Sequence, residues 1–181
     1  MELVNWKEIV DKYYSQNSEQ RKVLVIHSRN VMQKALDIVD RHPELKADRN
    51  FIISASMLHD LGIFLTDAAG IYCYGRYPYL CHGYLGADLL RKEGFPQHAL
   101  VCERHTGAGI SLQKILLENL PIPHRDMIPV SIEEQIICFA DKFYSKSHLT
   151  VEKSVEKARM SIAKYGEDGL NRFNIWCDRF L

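Results

Sequence analysis

Apolar positions recur along this chain at steps of three and four almost from end to end, the spacing that lays side chains along one face of an α-helix. Alternating runs bounded by hairpin turns, the mark of strands, do not stand out. The pattern predicts an all-α chain. A first helix covers Asn5 to Tyr14 and ends in Ser15-Gln16-Asn17. Ser18 caps a long second helix reaching about His42, where Pro43 stops it, and its apolar stripe runs Leu24, His27, Val31, Ala35 and Ile38. A third helix starts near Asp48, shows Ile52, Ala55, Ser56 and His59 on one face, and stops at Gly62. Ile63 to Leu80, with Gly70, Gly75, Pro78 and five aromatics, reads as an irregular loop or lid with one short helical turn.

Helix resumes over Cys81 to Lys92 and again over Gln97 to His105, the first stopped at Gly94-Phe95-Pro96 and the second at Thr106-Gly107-Ala108-Gly109. Ser111 to Asn119 is a short helix, and Leu120 to Val130, with three prolines, is an extended connector. Ser131-Ile132-Glu133-Glu134 is a capping box that opens a helix with Ile137, Cys138 and Asp141 on one face. Thr150 to Tyr165 and Glu167 to Phe180 are two charged amphipathic helices. Without a Gly/Ser/Pro-rich linker, the expectation is a helical domain over residues 1–147 with accessory C-terminal helices over 148–181 packed on it as a hairpin.

Composition narrows the function. With 181 residues there is room for one good-sized core, and 46% apolar residues fit a soluble globule. Lys and Arg number 23 against 23 Asp and Glu, so no global field draws the chain to nucleic acid or to an anionic membrane. Met1 to Lys7 has neither the basic nor the apolar region of a signal peptide, and no apolar run reaches the ~18 residues of a spanning helix. Five cysteines without CxxC spacing read as reduced, buried thiols rather than zinc ligands. The expectation is a cytoplasmic protein with no nucleic acid, no membrane and a possible homodimer.

The polar residues on the inward faces carry the chemistry. His27, His59, Asp60, His82, His105 and Asp141 come from five different helices. A buried carboxylate must be paired, hydrogen-bonded or bound to a metal. Imidazole and carboxylate without thiolate suit Fe, Mn, Zn, Ni or Co, and six such groups suit two ions with open positions for water. The plainer alternative is a hydrogen-bonded polar network.

The order His27, then His59-Asp60, then Asp141 in Ala140-Asp141-Lys142 resembles the HD-domain metal-dependent phosphohydrolase superfamily, and His59-Asp60-Leu61-Gly62 resembles its HDIG variant, over roughly Ser18 to Ser147. His82 in His-Gly-Tyr-Leu-Gly-Ala and His105 in Arg-His-Thr-Gly are similar to the two extra histidines of the dinuclear branch, which includes symmetrical dinucleoside-tetraphosphate hydrolases and cyclic-dinucleotide phosphodiesterases. The resemblance implies an HD-type helical bundle. It implies two divalent ions, with Fe first among the metals named, one on His27, His59 and Asp141 and the other on His82 and His105, bridged by Asp60. The implied reaction is hydrolysis of a phosphoester or phosphoanhydride of a nucleotide-like substrate by a water whose pKa the two ions lower from about 15.7 toward ~7.

One position departs from the branch: where many members have Lys after the His-Asp-x-Gly run, this chain has Ile63. Lys142 beside Asp141 and Arg104 beside His105 are the candidate substitutes for phosphate contact, with Arg29 and Arg76 behind them. Tyr72, Tyr74, Tyr77 and Tyr79 could stack a base or fill the core of the lid. The same six ligands also resemble those of a mixed-valent di-iron oxygenase branch, though its substrate Lys shortly after the last His is replaced here by Thr106-Gly107-Ala108-Gly109. A catalytically inactive HD-fold binding module is the third reading.

Overall fold

The computed structural model describes residues 4–181, so Met1 to Leu3, part of the start read as lacking secretory features, lie outside it. The chain is all-α. In order, the helices are α1 (Trp6–Tyr13), α2 (Glu19–Arg41), α3 (Arg49–Leu58), α4 (His82–Lys92), α5 (Pro96–Arg104), α6 (Leu112–Leu117), α7 (Ile132–Asp141), α8 (Val155–Ala163) and α9 (Glu167–Phe180). Their starts are written in the chain. Ser18, Asp48, Ser111, Ser131 and Ser154 each accept a hydrogen bond from the backbone N–H three residues on, and at α7 Glu134 answers back to complete the capping box.

Two apolar clusters make most of the core. One joins Val31 of α2, Ile52 of α3 and Phe139 of α7 to Phe173, Trp176 and Phe180 of α9. The other joins Val10 of α1, Leu24 of α2, Met57 of α3 and Leu90 of α4 with Leu61 and Ile63. Each fully buried side chain of this size contributes about 1.5–3 kcal/mol against exposure. The α8–α9 pair thus closes one side of the principal core. His27 lies on α2 between Leu24 and Val31, where the two clusters meet.

Three local expectations are corrected. Ile63 to Leu80 is more ordered than a loop: 3-10 turns at Leu61–Leu65, Ala69–Ile71 and Tyr79–Cys81 alternate with β1 (Thr66–Ala68), β2 (Cys73–Tyr74) and β3 (Tyr77–Pro78). These form a small sheet in the order β2-β1-β3, antiparallel on one side of β1 and parallel on the other. Strands of two or three residues are too short to show alternation. Residues 150–152, read as the start of a helix, are instead the end of β5 (His148–Glu152), which pairs with β4 (Tyr144–Ser145) before Ser154 starts α8.

The third correction is Gly62. The helix ends at Leu58 without it, and Gly62 lies inside the following 3-10 turn. A Cβ there would stand 2.2 Å from the His82 carbonyl oxygen and 2.5 Å from the Gly86 nitrogen. Gly86 has the same constraint from the other side, 2.7 Å from the Gly62 nitrogen. The two glycines let the backbone after Asp60 touch the first turn of α4. No helix among the described residues is long and apolar enough to cross a membrane, and all five cysteines are buried and unpaired.

Candidate metal centre

His27 comes from α2, His59 and Asp60 from the end of α3, His82 from the first residue of α4, His105 from the end of α5 and Asp141 from the last residue of α7. All six are buried. One ligand atom from each of His27, His59, Asp60 and Asp141 falls within 4.8 Å of the others, and the same holds for Asp60, His82 and His105. Asp60 is common to both groups, and its two oxygens divide between them. Oδ2 lies 3.2 Å from His27 Nε2 and 3.1 Å from His59 Nε2, whereas Oδ1 lies 3.4 Å from His82 Nε2 and 3.3 Å from His105 Nε2. Asp141 Oδ1 completes the first group, 2.9 Å from His27 and 3.5 Å from His59.

Three of the imidazoles are aimed by one local device. Nδ1 of His59, His82 and His105 lies 2.6, 2.6 and 2.7 Å from the carbonyl oxygen three residues earlier, that of Ser56, Tyr79 and Cys102. A carbonyl only accepts, so Nδ1 carries the proton in each and Nε2 faces the cluster. Tyr79 also stacks on the His82 ring at 4.6 Å between centroids. The Nε2 atoms of His82 and His105 are 3.0 Å apart, close enough for both to face one cation. His59 Nε2 and both Asp60 oxygens make no well-aligned hydrogen bond among the described residues, and the Lys146 ammonium, 2.6 Å from Oδ2, is paired with one oxygen of Asp60 alone. Buried polar atoms left in that state are costly, and a divalent cation is the group that satisfies all of them at once. The donor set fits metal.

The electrostatics agree. Burial would raise the carboxyl of Asp60, but Lys146 and His59 hold it well below the usual range; at Asp141, Lys142 and Lys146 do the same. Burial lowers His82 to about 3, keeping it neutral as a ligand must be, and it lowers His105 as well. At His59 burial is outweighed by Asp60 and Asp141, which hold the imidazole at about 9.

Among the expected cations, Lys142 is at the centre: Nζ donates to Asp141 Oδ2 at 2.7 Å and to the His105 carbonyl at 2.9 Å. Arg104 turns away, bonding the buried carboxylate of Glu134 at 2.9 Å. Arg29 and Arg76 are exposed and line no cavity at the centre. Ile63 is fully buried among the apolar side chains of the second cluster. The cation that reading the chain missed is Lys146, whose Nζ lies 2.6 Å from Asp60 Oδ2. It sits in the β4–β5 turn, which Asn30 and Lys34 of α2 pin by bonding the Leu149 carbonyl at 2.7 Å and Glu152 at 2.6 Å. Of the four tyrosines, Tyr79 alone lines the central cavity, and Tyr74 is 74% exposed.

That cavity, of about 1080 Å³, opens from His82, His105 and Asp141 toward the loop after His105 and the turn between α8 and α9. Gly107 and Gly109 take left-handed conformations in that loop, and Arg172 of α9 holds it by donating to the carbonyls of Ala108 at 2.7 Å and Gly109 at 2.9 Å.

Residues 24–145 match the family described as HD domain. Among similar curated proteins is a tRNA (cytidine(56)-2'-O)-methyltransferase of Thermoplasma volcanium, 30% identical over 75% of this chain and 36% of its own length. A second of that name, from Picrophilus torridus, is 28% identical over 75% of this chain and 35% of its own length. The chain therefore spans about a third of these two relatives. An uncharacterized protein of Methanocaldococcus jannaschii is 27% identical over 76% of this chain and 80% of its own. No solved structure matches. With two thirds of its length matched and the His, His-Asp and Asp gathered around one buried carboxylate, the chain belongs to the HD-domain family.

Proposed function

We propose that this chain is a dinuclear metal-dependent phosphohydrolase acting on a nucleotide-like phosphoester or phosphoanhydride. In this reading His27, His59 and Asp141 hold one divalent ion, His82 and His105 hold the other, Asp60 is shared, and iron is the first metal to test. The observation that carries it is the division of Asp60, one oxygen toward each group of imidazoles. Ions held there would supply an acidified water and neutralise charge on the phosphoryl oxygens. Hydrolysis joins the water oxygen to phosphorus as the bond from phosphorus to the leaving oxygen breaks, and that oxygen ends protonated or as a stable anion.

The side chains position and screen. The backbone carbonyls behind His59, His82 and His105 fix which nitrogen faces the centre. Lys142, tethered by Asp141 and the His105 carbonyl, and Lys146, against Asp60, place two ammonium groups where a phosphoryl group would enter from the cavity. They take the part expected of a Lys at Ile63. Arg104 has no place in this account. The cavity is large enough for a nucleotide.

The methyltransferase name belongs to relatives about twice as long, in which the matched segment is about a third of the length, and methyl transfer would give the six buried side chains no task. The test is anaerobic purification, reloading with Fe²⁺ or Mn²⁺, and a panel of nucleotides, dinucleoside polyphosphates, cyclic dinucleotides and tRNA. Release of a phosphorylated product from one of the small molecules, lost at least 100-fold in Asp60→Asn, is the expected result. Cleavage of tRNA alone would replace the small-molecule substrate with RNA. Oxygen consumption without phosphoryl release would replace hydrolysis with oxygenation.

A further inference from the structure

Besides Lys114, which is paired with Glu118, three lysines line the cavity: Lys142, Lys146 and Lys153. The first two already have counter-ions, since Lys142 lies 2.7 Å from Asp141 and Lys146 2.6 Å from Asp60. Those pairs balance: two ammonium groups against two carboxylates. Lys153 is different. It is only partly exposed, its backbone is fixed by an N–H bond of 2.8 Å to the Phe143 carbonyl, and among the described residues no carboxylate pairs with its ammonium. Burial holds that ammonium below the usual lysine range, and repulsion from Lys142 and Lys146 opposes the distant pull of Asp141. A partly buried cation without a counter-ion is unfavourable. Divalent ions at the centre would add more positive charge to the same cavity wall, so an anion from outside is what completes it.

We propose that Lys153 anchors an anion subsite next to the metal centre, which receives a substrate phosphate other than the one hydrolysed. Preferred substrates then carry at least two linked phosphates, a diphosphate or longer phosphoanhydride chain, rather than a single phosphomonoester. Lys142 and Lys146 stand at the reacting phosphate, and Lys153 takes the next one along. The β4–β5 hairpin is what brings Lys146 and Lys153 to the same mouth. This deepens the phosphohydrolase reading and rests on it for which phosphate reacts, but the subsite is a matter of binding and needs no turnover.

The test is calorimetric titration of the metal-loaded full chain, freed of unbound metal, with inorganic phosphate and with pyrophosphate. Wild type is compared with Lys153→Gln, which keeps much of the aliphatic stem, with Lys153→Arg, and with Lys22→Gln as a distant surface control. The expected result is pyrophosphate bound at least tenfold more tightly than phosphate by wild type. Lys153→Gln should erase that preference while leaving phosphate affinity within about twofold, and Lys153→Arg should restore most of it. An unchanged preference in Lys153→Gln, or an equal loss for both anions, overturns the subsite. Failure of the hydrolase reading is a separate observation: no phosphoryl release from any substrate while the Lys153-dependent preference persists would keep the subsite and discard the reaction.

Discussion

Arg104 and Lys142 stand next to His105 and Asp141 in sequence and end in different roles. Neighbouring residues on a helix point about 100° apart, so adjacency to a ligand leaves the direction open, and partners decide it. Lys142 finds Asp141 and a carbonyl at the centre; Arg104 finds Glu134, whose carboxylate also accepts from the backbone N–H of Val130 and Ser131. Arg104→Ala removes one partner of a buried carboxylate and should cost about 1–2 kcal/mol in a urea titration, with turnover within twofold of wild type. A hundredfold loss of turnover at unchanged stability would return Arg104 to the site. His98 offers a pH test away from the ligands. It is buried against Ser54 at 2.8 Å, and burial lowers it to about 4. The fold thus prefers its neutral form. The stability it contributes is complete above the unfolded value near 6.5 and is lost as pH falls toward 4, a difference of about 3 kcal/mol at most. The stability gap between wild type and His98→Gln should therefore shrink or reverse between pH 7 and pH 4; a gap independent of pH would contradict it. The six clustered side chains were legible at this scale because a His or Asp on an apolar helix face stands out from its neighbours. Lys146 was not, since a lysine followed by Ser147 and His148 looks like any solvated turn, and only the pairing of β4 with β5 folds it onto Asp60.

At the scale of elements, helix starts were the most readable features because a cap is a local contract between a side chain and the N–H three residues on. Ser18, Asp48 and Ser131 all sit where the pattern put them. Short strands were the least readable. Leu149 and Val151 do alternate with polar residues, but they follow a charged segment and merge with the helical spacing of α8. Gly62 shows how one residue can be noticed for the wrong reason. It reads as a helix stop, yet its task is contact: with Gly86 it seats the first turn of α4 against the residues after Asp60, bringing His82 to 3.4 Å from that carboxylate. Gly62→Ala should push α4 outward, lowering stability by about 1–3 kcal/mol and weakening the metal position built on His82 more than the one built on His27. Metal counting beside a urea titration reads both, and a Gly62→Ala protein with full stability and full metal content would refute the contact.

Across the whole molecule, the all-α class followed from periodicity alone, whereas the path of the cavity did not. Its walls come from the loop after His105, the β4–β5 hairpin and the α8–α9 turn, segments far apart in the chain that meet only through tertiary contacts such as Arg172 on the Ala108 and Gly109 carbonyls. The centre itself lies where the two apolar clusters join, so its rigidity is inherited from both. The proposed function then rests on Asp60 serving two ions. The direct measurement is metal content per chain after anaerobic loading, by elemental analysis on wild type, His82→Ala and Asp60→Ala. The account predicts two ions in wild type, one in His82→Ala and at most a weakly held ion in Asp60→Ala; one ion in wild type, unchanged by His82→Ala, would contradict it.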